Sequence, residues 1–193
     1  MRIVMYVAIE CVSESKEYIV CVSKAVLGTW RSLKQEKKQS PEAFGVLIGG
    51  QNQNASQFWI EDCTQPLARD VSTRTSFLMQ DPRHQRSVDR HFKESKGTSG
   101  YLGTWHSHPE QIPSPSHVDL KDWHSCCARN SDRNLIFVIV GISYLGNLIV
   151  SVDHAENQET AYKIDITESE VAALNSNTDN YENIESILAL LQT

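Results

Sequence analysis

The stretch Pro41-Glu42-Ala43-Phe44-Gly45-Val46-Leu47-Ile48-Gly49-Gly50 has no polar side chain after its single carboxylate. A strand with one face in water alternates apolar and polar residues, whereas an unbroken apolar run buries both faces and belongs at the centre of a sheet. Pro41 disfavours helix in the residue before it, so the run begins as a strand, with Glu42 at its buried edge.

Upstream, residues 2–9 and 18–22 are rich in Ile, Val and Tyr and predict two short strands. From Ser23, the residues Ala25, Val26, Trp30 and Leu33 recur at helical spacing, predicting a helix of about four turns that ends in the polar run 35–40. Downstream, residues 51–55 predict a hairpin turn into Phe58-Trp59-Ile60, and residues 76–79 a further strand. Asp81-Pro82 opens a second helix with Val88 and Phe92 on one face, ending over residues 95–100. Residues 101–108 read as a strand, and after a loop with prolines at 109, 113 and 115, Ser116 begins a helix carrying Leu120, Trp123 and Cys127. Strands at 135–142 and 147–153 are expected to form a hairpin through residues 143–146. The order predicts an α/β (α+β) architecture, a mixed central β-sheet flanked by helices.

Beyond Asp165 the pattern changes. Thr167-Glu168-Ser169-Glu170 has capping-box spacing, and Ile184, Ile187, Leu188 and Leu191 predict a last amphipathic helix. We expect a catalytic domain over residues 1–166 and a helical extension over 167–193, with a polar linker near 175–180.

Among 193 residues, 18 Lys and Arg oppose 24 Asp and Glu, a net charge of -6 that argues against nonspecific nucleic-acid binding, which phosphate neutralisation drives. The N-terminal apolar run of seven residues has no small-residue cleavage site and falls short of the roughly 20 a membrane span requires. Five cysteines (Cys11, Cys21, Cys63, Cys126, Cys127) form an odd set without a Cys-x-x-Cys pair, indicating neither a disulfide framework nor a cysteine zinc site. These features fit a cytoplasmic protein with no membrane and no nucleic-acid partner.

The segment Gly103-Thr104-Trp105-His106-Ser107-His108-Pro109 places two histidines two apart on a predicted strand, so both imidazoles face one side. Pro109 takes the chain out of the ladder, and Asp119 returns a carboxylate in the first turn of the next helix. Two His and one carboxylate leave a tetrahedral zinc with one position for water, the arrangement of a catalytic site. Zinc brings the pKa of that water towards about 7, within reach of a nearby carboxylate, and Glu42 is the candidate base. Ser-x-x-Asp by itself is more often a capping box, but the joint pattern His-x-His-Pro-x6-Ser-x-x-Asp has a chance probability on the order of 10⁻⁵ in such a chain.

His106-Ser107-His108-Pro109, followed after six residues by Ser116-His117-Val118-Asp119, resembles the full JAMM (JAB/MPN-plus) metalloprotease motif, and Glu42 before Gly45-Val46-Leu47-Ile48-Gly49 matches its upstream glutamate. The resemblance spans roughly residues 24 to 153. It implies a cytidine-deaminase-like JAB/MPN domain with one Zn2+ per chain on His106, His108 and Asp119. Glu42 would act as base and later proton donor to the leaving amine, and Ser116 would steady the oxyanion. Asp81-Pro82-Arg83-His84-Gln85, the run from Tyr101 to Glu110, and Pro113-Ser114-Pro115-Ser116 leading to Asp119 and Trp123 are similar to a narrower group. These are the prokaryotic JAB proteins encoded beside ubiquitin-activating-like and ubiquitin-conjugating-like enzymes, including the CD-NTase-associated peptidases of bacterial antiphage (CBASS) operons. The implied activity is that of a zinc-dependent isopeptidase or endopeptidase. It would hydrolyse the bond between the C-terminus of a ubiquitin-like or CD-NTase-type protein and its target, reversing conjugation, on a substrate with an extended tail.

Two alternatives stand beside it: a non-catalytic MPN scaffold, and a JAB peptidase acting on sulfur-carrier, phage-tail or cell-wall peptides. A zinc deaminase is excluded, because no Pro-Cys-x-x-Cys follows any His-x-Glu in the chain. His84, His91, His117, His124 and His154 are read as structural or exposed, Trp105 as core, and Cys126-Cys127 as helix packing. Tyr101 and Trp123 are candidates to line a substrate channel.

Overall fold

The computed structural model describes residues 6–12, 17–142, 144–151 and 164–165. Its elements are β1 (Tyr6–Val12), β2 (Glu17–Ser23), α1 (Lys24–Ser32), β3 (Phe44–Gln51), β4 (Gln57–Cys63), β5 (Val71–Ser72), β6 (Phe77–Leu78), α2 (Arg83–Glu94), β7 (Gly100–Ser107), α3 (His117–Arg129), β8 (Leu135–Val140), β9 (Tyr144–Ser151) and β10 (Ile164–Asp165). Eight strands form one mixed sheet in the order β1-β2-β4-β3-β7-β8-β9-β10, and β5 and β6 make a separate two-stranded ribbon. The apolar run lies where its composition requires: β3 sits between β4 and β7, and its first six residues are buried.

The two faces of the sheet build separate cores. On one side Val26, Leu27 and Trp30 of α1 pack with Leu47, Phe58, Ile60, Trp105, Ile136 and Val138. On the other, Trp123 and Cys126 of α3 meet Leu135, Phe137 and Ile139, and Val88 of α2 meets Val46 and Ile48. The strand period of two assigns alternate residues of β3 and β8 to opposite layers. The parallel pairing of β7 with β8 through the crossover α3 carries the chain from the end of β7 to the helix that follows the prolines.

Close backbone approach is built in at several glycines, Gly45 and Gly103 among them. A Cβ on Gly45 would stand 2.0 Å from the Thr64 carbonyl oxygen, which accepts a 2.9 Å bond from Trp105 Nε1. Gly103 has φ of +138° and a Cβ there would stand 1.8 Å from the Ile136 carbonyl oxygen. It adjoins the register shift between β3 and β7 at Leu47/Ile48, where a bulge accommodates the extra residue.

Several elements depart from the expectations. α1 ends at Ser32, short of four turns: the Leu33 N–H bonds back to the Trp30 carbonyl, and Gln35 turns inward to 1 % exposure. The strand expected at 76–79 contracts to β6 and pairs outside the main sheet, with β5. Phe92 is exposed, lying over Gly97 and Gly100, while Val88 alone of that pair is buried. β9 begins at Tyr144, so residues 144–146 belong to the strand rather than to a turn. Trp123 is buried and stacked on Phe137 at 5.1 Å, so it is core and not channel wall, and Tyr101 packs beside it against the same cluster. The predicted helix at 184–191, the capping box at Thr167, the linker near 175–180 and His154 lie outside the described residues. No helix among the described residues is long and apolar enough to cross a membrane.

Gly103→Ala forces a Cβ onto the Ile136 carbonyl at a positive φ. The expected cost is about 3 kcal/mol or more, read as a lower denaturant midpoint. An unchanged midpoint would show that β7 and β8 can separate there at no cost.

Candidate metal centre

β3 and β7 run antiparallel with Phe44 opposite His106, so the same register sets Glu42, two residues upstream, level with His108, two residues downstream. Both imidazoles project from one side, as their spacing predicts, with their Nε2 atoms 3.1 Å apart. His106 is 2 % exposed and the His108 side chain 12 %. The His108 N–H donates to the Val140 carbonyl, holding the residue in line with β8 just past the end of β7.

Asp119 arrives from α3. Ser116 caps that helix: its hydroxyl accepts from the Asp119 N–H at 3.2 Å, and Asp119 Oδ2 accepts from the Ser116 N–H at 2.6 Å. The capping box that served as the bland reading of Ser-x-x-Asp is therefore real, and it also aims the carboxylate. Asp119 Oδ1 stands 3.3 Å from His106 Nε2 and Oδ2 3.6 Å from His108 Nε2. Ser116 spends a lone pair on the Asp119 amide, which leaves its proton available to another acceptor.

Glu42 completes the group, with Oε1 3.6 Å from His108 Nε2. Its N–H donates to the Thr73 carbonyl of the β5–β6 ribbon at 2.7 Å, and the next amide, Ala43, donates to the Ser107 hydroxyl at 2.9 Å. The ribbon also supplies Phe77, stacked on Phe44 at 4.4 Å and 5.5 Å from the His106 ring. Trp123 also packs near His106 at 6.2 Å, and of the two imidazoles His108 is the more exposed.

The electrostatics follow from this crowding. Burial, opposed by His108 and reinforced by the Asp119 charge, raises the Glu42 carboxyl to about 7. Burial also pushes His106 down, only partly offset by Asp119. At His108 burial acts downward too, but the hydrogen bond and charge of Asp119, with Glu42 and Glu110 behind it, outweigh it and the net shift is upward. Burial would raise Asp119, yet its bonds to the two histidines hold it well below the usual carboxylate range.

Glu42, His106 and His108 offer ligand atoms all within 4.8 Å of one another and can hold a metal ion. Asp119 lies nearer to both histidines than that span. Tetrahedral bonds of about 2.0–2.1 Å space neighbouring ligand atoms by roughly 3.3–3.4 Å. The separations of 3.1 Å between the imidazoles and of 3.3 Å from His106 Nε2 to Asp119 Oδ1 lie close to that value, and the other carboxylate oxygen, Oδ2, stands 3.6 Å from His108 Nε2. Two carboxylates beside two imidazoles in a largely buried pocket also form a donor set whose charge a divalent cation would balance.

Residues 31–161, more than half of the chain, match the family of prokaryotic homologs of the JAB domain. The chain belongs to that family. The motif resemblance and the mixed sheet flanked by helices thus agree. This JAB domain is similar to proteins named CD-NTase/cGAS isopeptidase. The Pseudomonas aeruginosa protein is 35% identical over 120 residues, covering 62% of this chain and 75% of that protein. The Escherichia coli protein is 33% identical over 112 residues (58% and 70%), and the Vibrio cholerae protein 32% over 130 residues (66% and 80%).

The remaining histidines sort by environment. His84 is buried, with Nε2 2.8 Å from Asp70 and Nδ1 2.6 Å from the Thr64 hydroxyl, and it braces the loop behind β3. His91 meets Asp62 at 3.1 Å. Among the described side chains, Cys21, Cys63, Cys126 and Cys127 are free thiols. Three contributors carry no motif: Thr73 through its carbonyl, Phe77 through its ring, and Gln35 beneath Ser107. Only the amide of Gln35 in a charged run offers a signal, and with Gln39 in the same run it is too weak to single out.

Replacing either imidazole removes one ligand atom from the group. His106→Ala and His108→Ala should each lose stoichiometric binding of added Zn2+, measured by elemental analysis after dialysis. Undiminished metal in either variant would contradict this site.

Proposed function

We propose that this JAB domain is a zinc-dependent isopeptidase of a bacterial antiphage system, in which His106, His108 and Asp119 hold the metal and Glu42 is the general base. The observation that carries the reading is the division between two carboxylates. Asp119 approaches both imidazoles at 3.3 and 3.6 Å, as a ligand would, while Glu42 is within 3.6 Å of His108 from the opposite strand, where a base can face the attacking water.

When bound, zinc supplies Lewis acidity toward the scissile carbonyl and lowers the pKa of the neighbouring water. Glu42 takes the proton of that water and returns it to the departing lysine amine, so no covalent enzyme intermediate is required. The free proton of Ser116 is donated to the oxyanion as it develops. His106, sealed by Phe77 and Trp123, keeps its side of the pocket dry, which strengthens each of these polar contacts.

The substrate we infer is the extended C-terminal tail of a ubiquitin-like or CD-NTase-type protein joined to its target. The names of the related proteins support that class. The β5–β6 ribbon lies beside the site through Phe77, 5.5 Å from the His106 ring, which supports a linear peptide laid along it as an added strand.

The direct experiment incubates the zinc-loaded protein with tail fusions of both kinds and locates the cut by mass spectrometry. Cleavage after the last residue of the tail is expected, abolished by chelation; cleavage insensitive to chelation, or none with a full complement of zinc, would contradict the reading. Glu42→Gln should retain zinc and lose turnover by on the order of 10²–10⁴, because an amide cannot accept the proton. Asp119→Ala should lose the zinc itself; the opposite pattern of metal retention would exchange the two roles.

A further inference from the structure

Gln35 lies in the run Lys34-Gln35-Glu36-Lys37-Lys38, which reads as solvated surface, yet its side chain is buried to 1 % exposure and every polar atom on it is used. Its Oε1 accepts from the Ser107 hydroxyl at 3.2 Å. Its Nε2 donates to the Ser40 carbonyl at 3.2 Å and to the Arg74 carbonyl at 2.9 Å. One primary amide therefore ties together three segments: the strand that carries both histidines, the loop that delivers Glu42, and the turn of the β5–β6 ribbon.

These are the segments that hold the backbone of Glu42, which precedes β3 and is not held by the sheet ladder itself. The Glu42 N–H is held by Thr73, next to Arg74. The Ala43 N–H is held by the Ser107 hydroxyl, whose own proton goes to Gln35, and the Ser107 N–H returns to the Ala43 carbonyl at 2.8 Å. Gln35 thus stands behind both groups that fix Glu42, one on each side of it. We propose that Gln35 is a positioning residue that clamps the Glu42 backbone against the strand of His106 and His108, and so sets the place of the general base.

The chemistry of the side chain limits what can substitute. The clamp needs one acceptor and two donors in a single planar group. Methionine matches the volume and supplies none of them. Glutamate keeps an acceptor for Ser107 but turns a carboxylate oxygen toward the carbonyls of Ser40 and Arg74. A residue that only filled space or satisfied buried carbonyls would affect stability alone. A clamp on the base acts on turnover, because a misplacement of about 1 Å costs up to about 10²-fold in rate.

This inference rests on the isopeptidase reading for its kinetic effect, so the test has a second readout that does not. Gln35→Met and Gln35→Glu would be compared with the parent for zinc content, kcat and KM on a cleaved tail fusion, and amide hydrogen exchange. The expected result is kcat lowered by about 10- to 100-fold, with KM within about twofold and zinc stoichiometry unchanged. The Glu42 and Ala43 amides should exchange at least about tenfold faster, while those of β8 keep parental rates. Parental kcat together with parental exchange at Glu42 and Ala43 would overturn the clamp, as would a uniform rise in exchange across the sheet. If Gln35→Met does not fold, Gln35→Glu decides on the same readouts. If the parent cleaves no tail, the isopeptidase reading fails by itself, and the exchange rates still decide whether Gln35 holds Glu42.

Discussion

Antiparallel pairing of β3 with β7 sets Phe44 opposite His106, and the rest of the site depends on that register. A slip of one residue would turn His106 and His108 to the α1 side, into the layer of Trp30 and Trp105, and would carry Glu42 out of reach of both. The register is enforced by features with no chemical role. The apolar run of β3 must be buried on both faces, Gly45 and Gly103 admit backbone at distances no side chain tolerates, and Trp105 is fastened by its indole N–H to the Thr64 carbonyl. Stability and the geometry of the candidate site therefore share the same few residues, and a substitution that loosens β7 also displaces the imidazoles.

A second economy lies at the start of α3. The four unpaired N–H groups of a helix start call for an acceptor, and Ser116 and Asp119 answer each other in a capping box. The same carboxylate faces both histidines, so the helix cap fixes the orientation of the third polar arm of the site. Its low pKa keeps it charged, while Glu42, across the pocket, is pushed up by burial and by the neighbouring charge of Asp119. Two carboxylates with similar sequence credentials thus sit in unlike environments, which is the physical basis for giving them unlike roles.

The motif-bearing residues were legible because their chemistry is carried by spacing: two histidines at the strand period, a proline that ends the strand, and a carboxylate in a helical first turn. The central strand was legible because a run of residues without alternation has one place to go. Less legible were features created by tertiary contact. The early end of α1 at Ser32 follows from the inward turn of Gln35, which local propensity does not contain. The ribbon of β5 and β6 is held by the Glu42 amide and by Phe77 stacking on Phe44, contacts made across more than thirty residues of sequence. Trp123 looked available to a substrate by position, but the stacking partner that takes it into the core, Phe137, lies on a different element.

The central claim is that the β3–β7 register and the α3 cap bring His106, His108 and Asp119 to one metal and leave Glu42 beside it. It is tested most directly by a crystal structure of the zinc-loaded protein, with anomalous data at the zinc edge to locate the ion. The account predicts a single zinc with both Nε2 atoms and the Asp119 carboxylate at about 2.0–2.2 Å, and Glu42 outside the bonded set. Zinc bonded to Glu42 with Asp119 left to its helix cap, or zinc elsewhere on the chain, would contradict it.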